Sequence, residues 1–105
     1  MIIKETSVFT RRVQRVLDPE AYRLLQVHLL HRPDSGDVIP GSGGVRKIRW
    51  APTGSGKRGG TRVLYYWSLD EHTILMLFAF AKNERSDLSR EQLRQLATLV
   101  QEEFS

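Results

Sequence analysis

The sequence predicts an α+β fold with N-terminal helices, an antiparallel sheet of three to four strands and a C-terminal helix. Three observations predict it. Apolar residues recur at helical spacing near both ends of the chain. Between them, runs rich in β-branched and aromatic residues alternate with short turn signals. A long connection of turn-forming residues separates the first helices from those runs.

Taken in order, Ile2 and Ile3 form a short apolar start suited to an edge strand. Ser7 to Val16 is weakly amphipathic, with Val8, Phe9, Val13, Val16 and Leu17 at helical spacing. Asp18-Pro19 starts a second helix, because Asp accepts hydrogen bonds from the orphan N–H groups of the first turn and proline fits the first helical position. That helix should run to about Leu30, with Tyr22, Leu25 and Leu29 near one stripe, and Arg32-Pro33 ends it. Residues 33 to 44 are a long connection rich in Pro, Asp, Ser and Gly, of the length that is usually functional or mobile.

Val45 to Trp50 reads as a strand. A period of two places Arg46, Ile48 and Trp50 on one face and Val45, Lys47 and Arg49 on the other. Ala51 to Gly60 is a loop rich in Gly and Lys. Thr61 to Leu69 is a second strand, with Val63, Tyr65, Trp67 and Leu69 opposite Arg62, Leu64, Tyr66 and Ser68. Asp70-Glu71 turns the chain, and Thr73 to Ala81 is almost continuously apolar, as a central strand covered on both faces must be. It runs out into Lys82-Asn83-Glu84. Ser89 with Gln92 is a capping box, followed by Leu93, Leu96, Leu99, Val100 and Phe104 at helical spacing.

At 105 residues the chain has room for one core, so residues 1–105 are expected to form a single domain. It has no cysteine, which removes disulfides, thiolate metal sites and cysteine nucleophiles and suits a reducing cytosol. The longest apolar run, Ile74 to Ala81, is too short to span a bilayer and the first residues do not resemble a signal peptide, so the expected location is cytoplasmic, with no membrane partner.

Charge is distributed unevenly. The net charge is +4, yet no Asp or Glu lies between Val38 and Leu69, where Arg46, Lys47, Arg49, Lys57, Arg58 and Arg62 supply 6 of the 16 cations. The remainder of the chain is slightly acidic. A local basic field beside a near-neutral body fits a polyanion-binding surface, because each cation that neutralises a phosphate releases counterions.

The chemistry open to such a surface is narrow. Gly54 to Gly60 invites a nucleotide-binding reading, but Ala51 and Arg58 stand where a P-loop needs Gly and Ser or Thr, and a strand follows instead of a helix. His28 and His31 lack an evident third ligand and His72 sits at a turn, so no metal is expected. No Ser-His-Asp order stands out, and the acids lie away from the basic segment. Catalysis, if this chain performs any, therefore has to use cations. RNA offers a reaction that cations support: the 2′-hydroxyl attacks the neighbouring phosphorus, and positive charge stabilises the phosphorane-like transition state. A lysine crowded by Arg58, Arg62 and Lys82 would have its protonated form disfavoured by like charge, which makes Lys57 a candidate general base if the fold brings these cations together. Tyr65, Tyr66, Trp67, Phe78 and Phe80 are candidates for base stacking, although most strand aromatics are core.

The segments Gly43 to Trp50, Gly54 to Tyr66 and Ala81 to Glu84, followed by a Leu-rich helix, resemble the HigB-like branch of the RelE/ParE toxin superfamily. The Gly-Lys-Arg-Gly-Gly-Thr-Arg block followed by Tyr-Tyr, with Lys-Asn-Glu at the next strand end, carries most of the likeness. The resemblance implies a RelE-like fold and the toxin of a type II toxin-antitoxin system, an mRNA interferase that enters the A site of the small ribosomal subunit and cleaves the bound mRNA. By position it implies Lys57, Arg62 and Lys82 as catalytic residues. Arg46, Lys47, Arg49, Arg58 and Asn83 then bind RNA or ribosome. It further implies a cognate antitoxin, HigA-like with a helix-turn-helix, docking on the exposed sheet edge and the grooves beside the helices. Operator DNA would be reached only through that antitoxin, and no cofactor is needed. The C-terminal tyrosine that some relatives use near the cleavage site is missing, since only Phe104 occupies the late aromatic position. Two alternatives stay open: a ParE-like gyrase poison on the same fold, and a non-catalytic nucleic-acid-binding regulator.

Overall fold

The computed structural model describes residues 1–51, 60–84 and 87–105. In chain order they form β1 (Ile2–Glu5), α1 (Ser7–Val16), α2 (Pro19–His31), β2 (Asp37–Val38), β3 (Arg46–Trp50), β4 (Thr61–Ser68), β5 (Thr73–Ala81) and α3 (Arg90–Phe104). The strand order is β1-β5-β4-β3-β2. The expected α+β class, with helices before and after the sheet, is the class observed.

The sheet has more strands than the three to four expected, and it is not wholly antiparallel. β1 pairs in parallel with β5, Ile2 opposite Thr73 and Glu5 opposite Met76. The fifth strand is β2, two residues inside the turn-rich connection, held against β3 by pairing of Asp37 with Lys47 and Val38 with Arg46. A two-residue strand leaves no period to read, and its existence depends on β3 being there to receive it.

Local signals account for the helix starts. Thr6 caps α1, Asp18 caps α2 and Ser89 caps α3, each side-chain oxygen accepting a backbone N–H three residues on. At α3 the Gln92 side chain completes the box by accepting from the Ser89 N–H at 2.8 Å. Replacing such a cap by alanine costs about 1 kcal/mol.

The sheet is covered on both faces. Phe9, Val13 and Leu17 join Ala21, Leu25 and Leu29 of α2 against Val63, Tyr65, Ile74, Met76 and Ala79. On the other face Leu96 and Val100 of α3 pack on Val45, Leu64, Leu75, Leu77 and Phe80. β5, between β1 and β4, is buried on both faces, which is why its sequence carries almost no polar residue. Its register with β4 shifts between Leu64 and Tyr65, so that Leu64 faces Phe78 while Tyr65 faces Met76. Leu77 is the extra residue of this β-bulge, and Leu77 and Phe78 both belong to the core on the α3 side.

Tyr65 ties the long connection to the sheet in addition to the β2 pairing. Tyr65, fully buried, donates its hydroxyl hydrogen to the Pro33 carbonyl at 2.7 Å and accepts the Gly36 N–H at 2.8 Å. Only glycine fits at position 36, because a Cβ there would lie 2.9 Å from the Tyr65 ring. Among the described residues no helix is long and apolar enough to cross a membrane.

Candidate nucleic-acid interface

The antiparallel register of β3, β4 and β5 sets the site. Trp50 pairs with Thr61 and Thr61 with Ala81, so the three strands finish level at one rim of the sheet. Residues 52–59 connect two of these strand ends, and the turn Lys82-Asn83-Glu84 leaves from the third. Lys57 and Arg58 lie in that connection, outside the described residues. Gly60, which closes it, has φ +67°, and an added Cβ would stand 3.2 Å from the Trp50 carbonyl oxygen. A side chain at position 60 would both strain the backbone and crowd the strand end.

Arg49 of β3 and Arg62 of β4 are direct cross-strand partners. Residues so paired have Cβ atoms roughly 5 Å apart, and like charges there oppose strand pairing. Lys47, two residues before Arg49, shares its face. Its ammonium reaches the Asp87 carboxylate at 3.1 Å. Burial pulls the Asp87 pKa upward, but the Leu88 N–H, the bond and charge of Lys47 and the charge of Arg62 outweigh it and leave the carboxyl below its ordinary value. A carboxylate set against Lys47 and within the field of Arg62 marks the place on this face where an anion is favoured.

Arg46 stands apart. As the period of two requires, it is on the opposite face, where its guanidinium donates to the Asp34 and Gly36 carbonyls at 3.1 and 2.8 Å and lies over the Trp67 ring at 6.0 Å. The structure therefore employs Arg46 to hold the 33–44 connection, and separates it from Lys47, Arg49 and Arg62. Lys82 and Asn83 are exposed at the rim, and no ion pair to Lys82 is formed among the described residues.

The aromatic candidates divide by burial. Tyr65 and Phe80 are fully buried and cannot stack on a base. Phe78 is half-buried beneath the Arg12 guanidinium at 4.9 Å. Trp67 is half-buried beside Arg46, and Tyr66 is half-buried with its ring 5.6 Å from that of Phe104. The histidines serve locally: His28 packs on Trp50 at 5.2 Å, and His31 Nδ1 bonds the Val27 carbonyl.

The sequence reading passed over α1, which carries Arg11, Arg12 and Arg15 with no acid. The helix travels along β5 in the strand's own direction, from the Thr6 N–H on the Met76 carbonyl to Arg12 on Ala79, and its last turn meets the rim where Thr61 Oγ1 donates to the Val16 carbonyl at 2.8 Å. Arg11 and Arg15 are exposed one turn apart, so α1 adds positive charge beside the rim. The absence of acids within α1 was visible in the sequence; its placement was not.

The model of the RelE toxin family, described as the RelE toxin of the RelE/RelB toxin-antitoxin system, matches residues 35–104. The fold is similar to that of the E. coli toxin RelE, solved in the free state as a double arginine-to-alanine mutant. The match has a TM-score of 0.59 and 13% sequence identity, covering 92% of this chain and 93% of that one. At that identity the likeness is one of fold. The family match spans β2 to α3 and includes every strand that forms the cationic rim, and on it the chain belongs to the RelE toxin family.

Proposed function

We propose that this chain, acting as one domain over residues 1–105, is the toxin of a type II toxin-antitoxin pair, of the HigB-like branch, and cleaves mRNA in the ribosomal A site. The observation that carries the reading is the pairing of Arg49 with Arg62 on a face shared with Lys47, at the rim from which the Lys57 connection and the Lys82 turn both depart. A protein that only needed solubility gains nothing from like charges directly opposite each other.

The reaction is transesterification within RNA. The 2′-oxygen forms a bond to the adjacent phosphorus, the bond from phosphorus to the 5′-oxygen breaks, and the products are a 2′,3′-cyclic phosphate and a 5′-hydroxyl end. In the proposed arrangement Lys57 removes the 2′-hydroxyl proton. Arg62 offers two parallel donors to the non-bridging oxygens as negative charge accumulates there. Lys82, in its charged form, gives a proton to the departing 5′-oxygen, which leaves as the 5′-hydroxyl. Lys47, Arg49, Arg58 and Asn83 contact the flanking RNA, with Arg11 and Arg15 extending the field toward ribosomal RNA. No cofactor takes part. A HigA-like antitoxin would hold the toxin inactive in the cytoplasm and carry the pair to operator DNA.

Mapping mRNA ends by primer extension in a translating extract tests this. New ends within translated codons, absent with the Lys57→Ala/Arg62→Ala variant and absent on naked RNA, are the expected outcome. Translation that stops with the message intact would remove the nuclease reading, and growth arrest with DNA damage would favour a gyrase poison.

A further inference from the structure

The open edge of β5 leads to a pair of residues outside the cationic face. β1 pairs with β5 only as far as Met76, so among the described residues the outward backbone groups of Leu77, Ala79 and Ala81 have no strand to meet. Side chains meet them instead. Thr6 Oγ1 donates to the Leu77 carbonyl at 3.0 Å, Arg12 Nε donates to the Ala79 carbonyl at 2.7 Å, and the Ala81 N–H donates to Glu84 Oε1 at 2.8 Å. Arg12 and Glu84 then join each other, Nη2 to Oε1 at 2.6 Å, with the guanidinium lying over the Phe78 ring. The Glu84 N–H also returns to the Ala81 carbonyl, closing the turn that holds Lys82 and Asn83.

This arrangement controls where two charges go. Glu84 is two residues from Lys82, yet among the described residues its carboxylate pairs with Arg12 and not with the ammonium. Arg12 holds Glu84 on the helix side by a planar donor pair that binds the strand and the carboxylate at once, a fixed fork that a lysine's flexible point charge lacks. Arg12 is mostly covered, its side chain 18% exposed, so the pair is less screened than the chain's exposed ion pairs.

We propose that Arg12 and Glu84 are positioning residues of the cleavage face: they lock the β5-end turn that presents Lys82 and Asn83, and keep Lys82 clear of an intramolecular carboxylate. The inference rests on the nuclease reading for its consequence and on the turn geometry for its substance.

The test measures single-turnover cleavage of mRNA on programmed ribosomes, ribosome affinity and backbone amide order parameters, using wild type, Arg12→Ala, Arg12→Lys, Glu84→Ala, Glu84→Gln, Lys82→Ala and Arg12→Ala/Lys82→Ala. Arg12→Ala should lower the cleavage rate between about ten- and a hundredfold, as displacement of a reacting group does, with ribosome affinity held within about twofold because no ribosome contact is removed. Glu84→Gln, still an acceptor for the Ala81 N–H, should retain more activity than Glu84→Ala, and Arg12→Lys should not restore the rate. The double variant should be no slower than Lys82→Ala alone, because both changes disable one unit. Independently of cleavage, the Lys82 and Asn83 amides should fall from about 0.85 in wild type to below about 0.6 in Arg12→Ala. Unchanged order parameters in a folded Arg12→Ala, a full cleavage rate, or rate losses that multiply with Lys82→Ala would each overturn the proposal. If wild type leaves ribosome-bound message intact, the nuclease reading fails, and the order parameters alone decide whether the clamp holds the turn.

Discussion

Arg49 and Arg62 face each other across the β3-β4 ladder, two guanidinium side chains on neighbouring strands and one side of the sheet. The pairing opposes folding by a few tenths of a kcal/mol to about 1 kcal/mol and is retained where the strands meet the rim. Stability and activity should therefore separate at this position. Arg49→Thr, which substitutes a residue that favours strands, should raise the unfolding free energy by about 0.5 kcal/mol in urea. It should also weaken binding to ribosomes, with a shallower dependence of affinity on salt. A variant that loses stability would show that Arg49 is held by contacts rather than opposed by Arg62.

Asp87 gives the face a pH dependence. Its folded pKa lies below the unfolded value of 3.8, so the carboxylate contributes stability that is complete above about pH 4 and is lost as pH falls through the lower folded value. The group is mostly solvated, and the contribution should stay under about 1 kcal/mol. Asp87→Asn should flatten the acid limb of a stability-pH profile and release Lys47 from its ion pair, raising ribosome affinity at low salt. Acid unfolding that overlays wild type would mean that Lys47 and Asp87 do not pair in solution.

Tyr65→Phe isolates the hydroxyl that anchors the 33–44 connection. The ring keeps its place, but the buried Gly36 N–H and the Pro33 carbonyl lose their partner, at a cost of about 1–3 kcal/mol in denaturant unfolding. Cleavage by the folded fraction should persist, since Tyr65 is fully buried and reaches no RNA. Unchanged stability would show that the connection is held chiefly by Arg46.

Much of this was legible in short stretches of sequence because the causes are local. Asp18-Pro19 and Ser89 with Gln92 fix helix starts within one turn, and the unbroken apolar run of β5 requires cover on both faces. The period of two had already set Arg46 against Lys47 and Arg49, so grouping it with them as one RNA-binding surface disregarded what alternation says about faces. Long-range features left no such trace. The parallel pairing of Ile2 with Thr73 and the two-residue β2 exist only once β5 and β3 are in place. The contact of Arg12 with Glu84 spans 72 positions, and neither residue carries a pattern that points to the other. Tyr65 and Phe80 entered as stacking candidates because aromatic type does not encode depth, and the core on each side claims one of them.

The proposed ribosome-dependent cleavage by the cationic face is measured most directly on purified ribosomes carrying an end-labelled mRNA with one defined codon in the A site. Wild type is predicted to cut within that codon and leave a 2′,3′-cyclic phosphate, with Arg62→Ala slower by at least about a hundredfold, the scale of losing one transition-state donor, and with the same mRNA untouched when free of ribosomes. Intact message under wild type, or equal cutting by Arg62→Ala, would contradict the account.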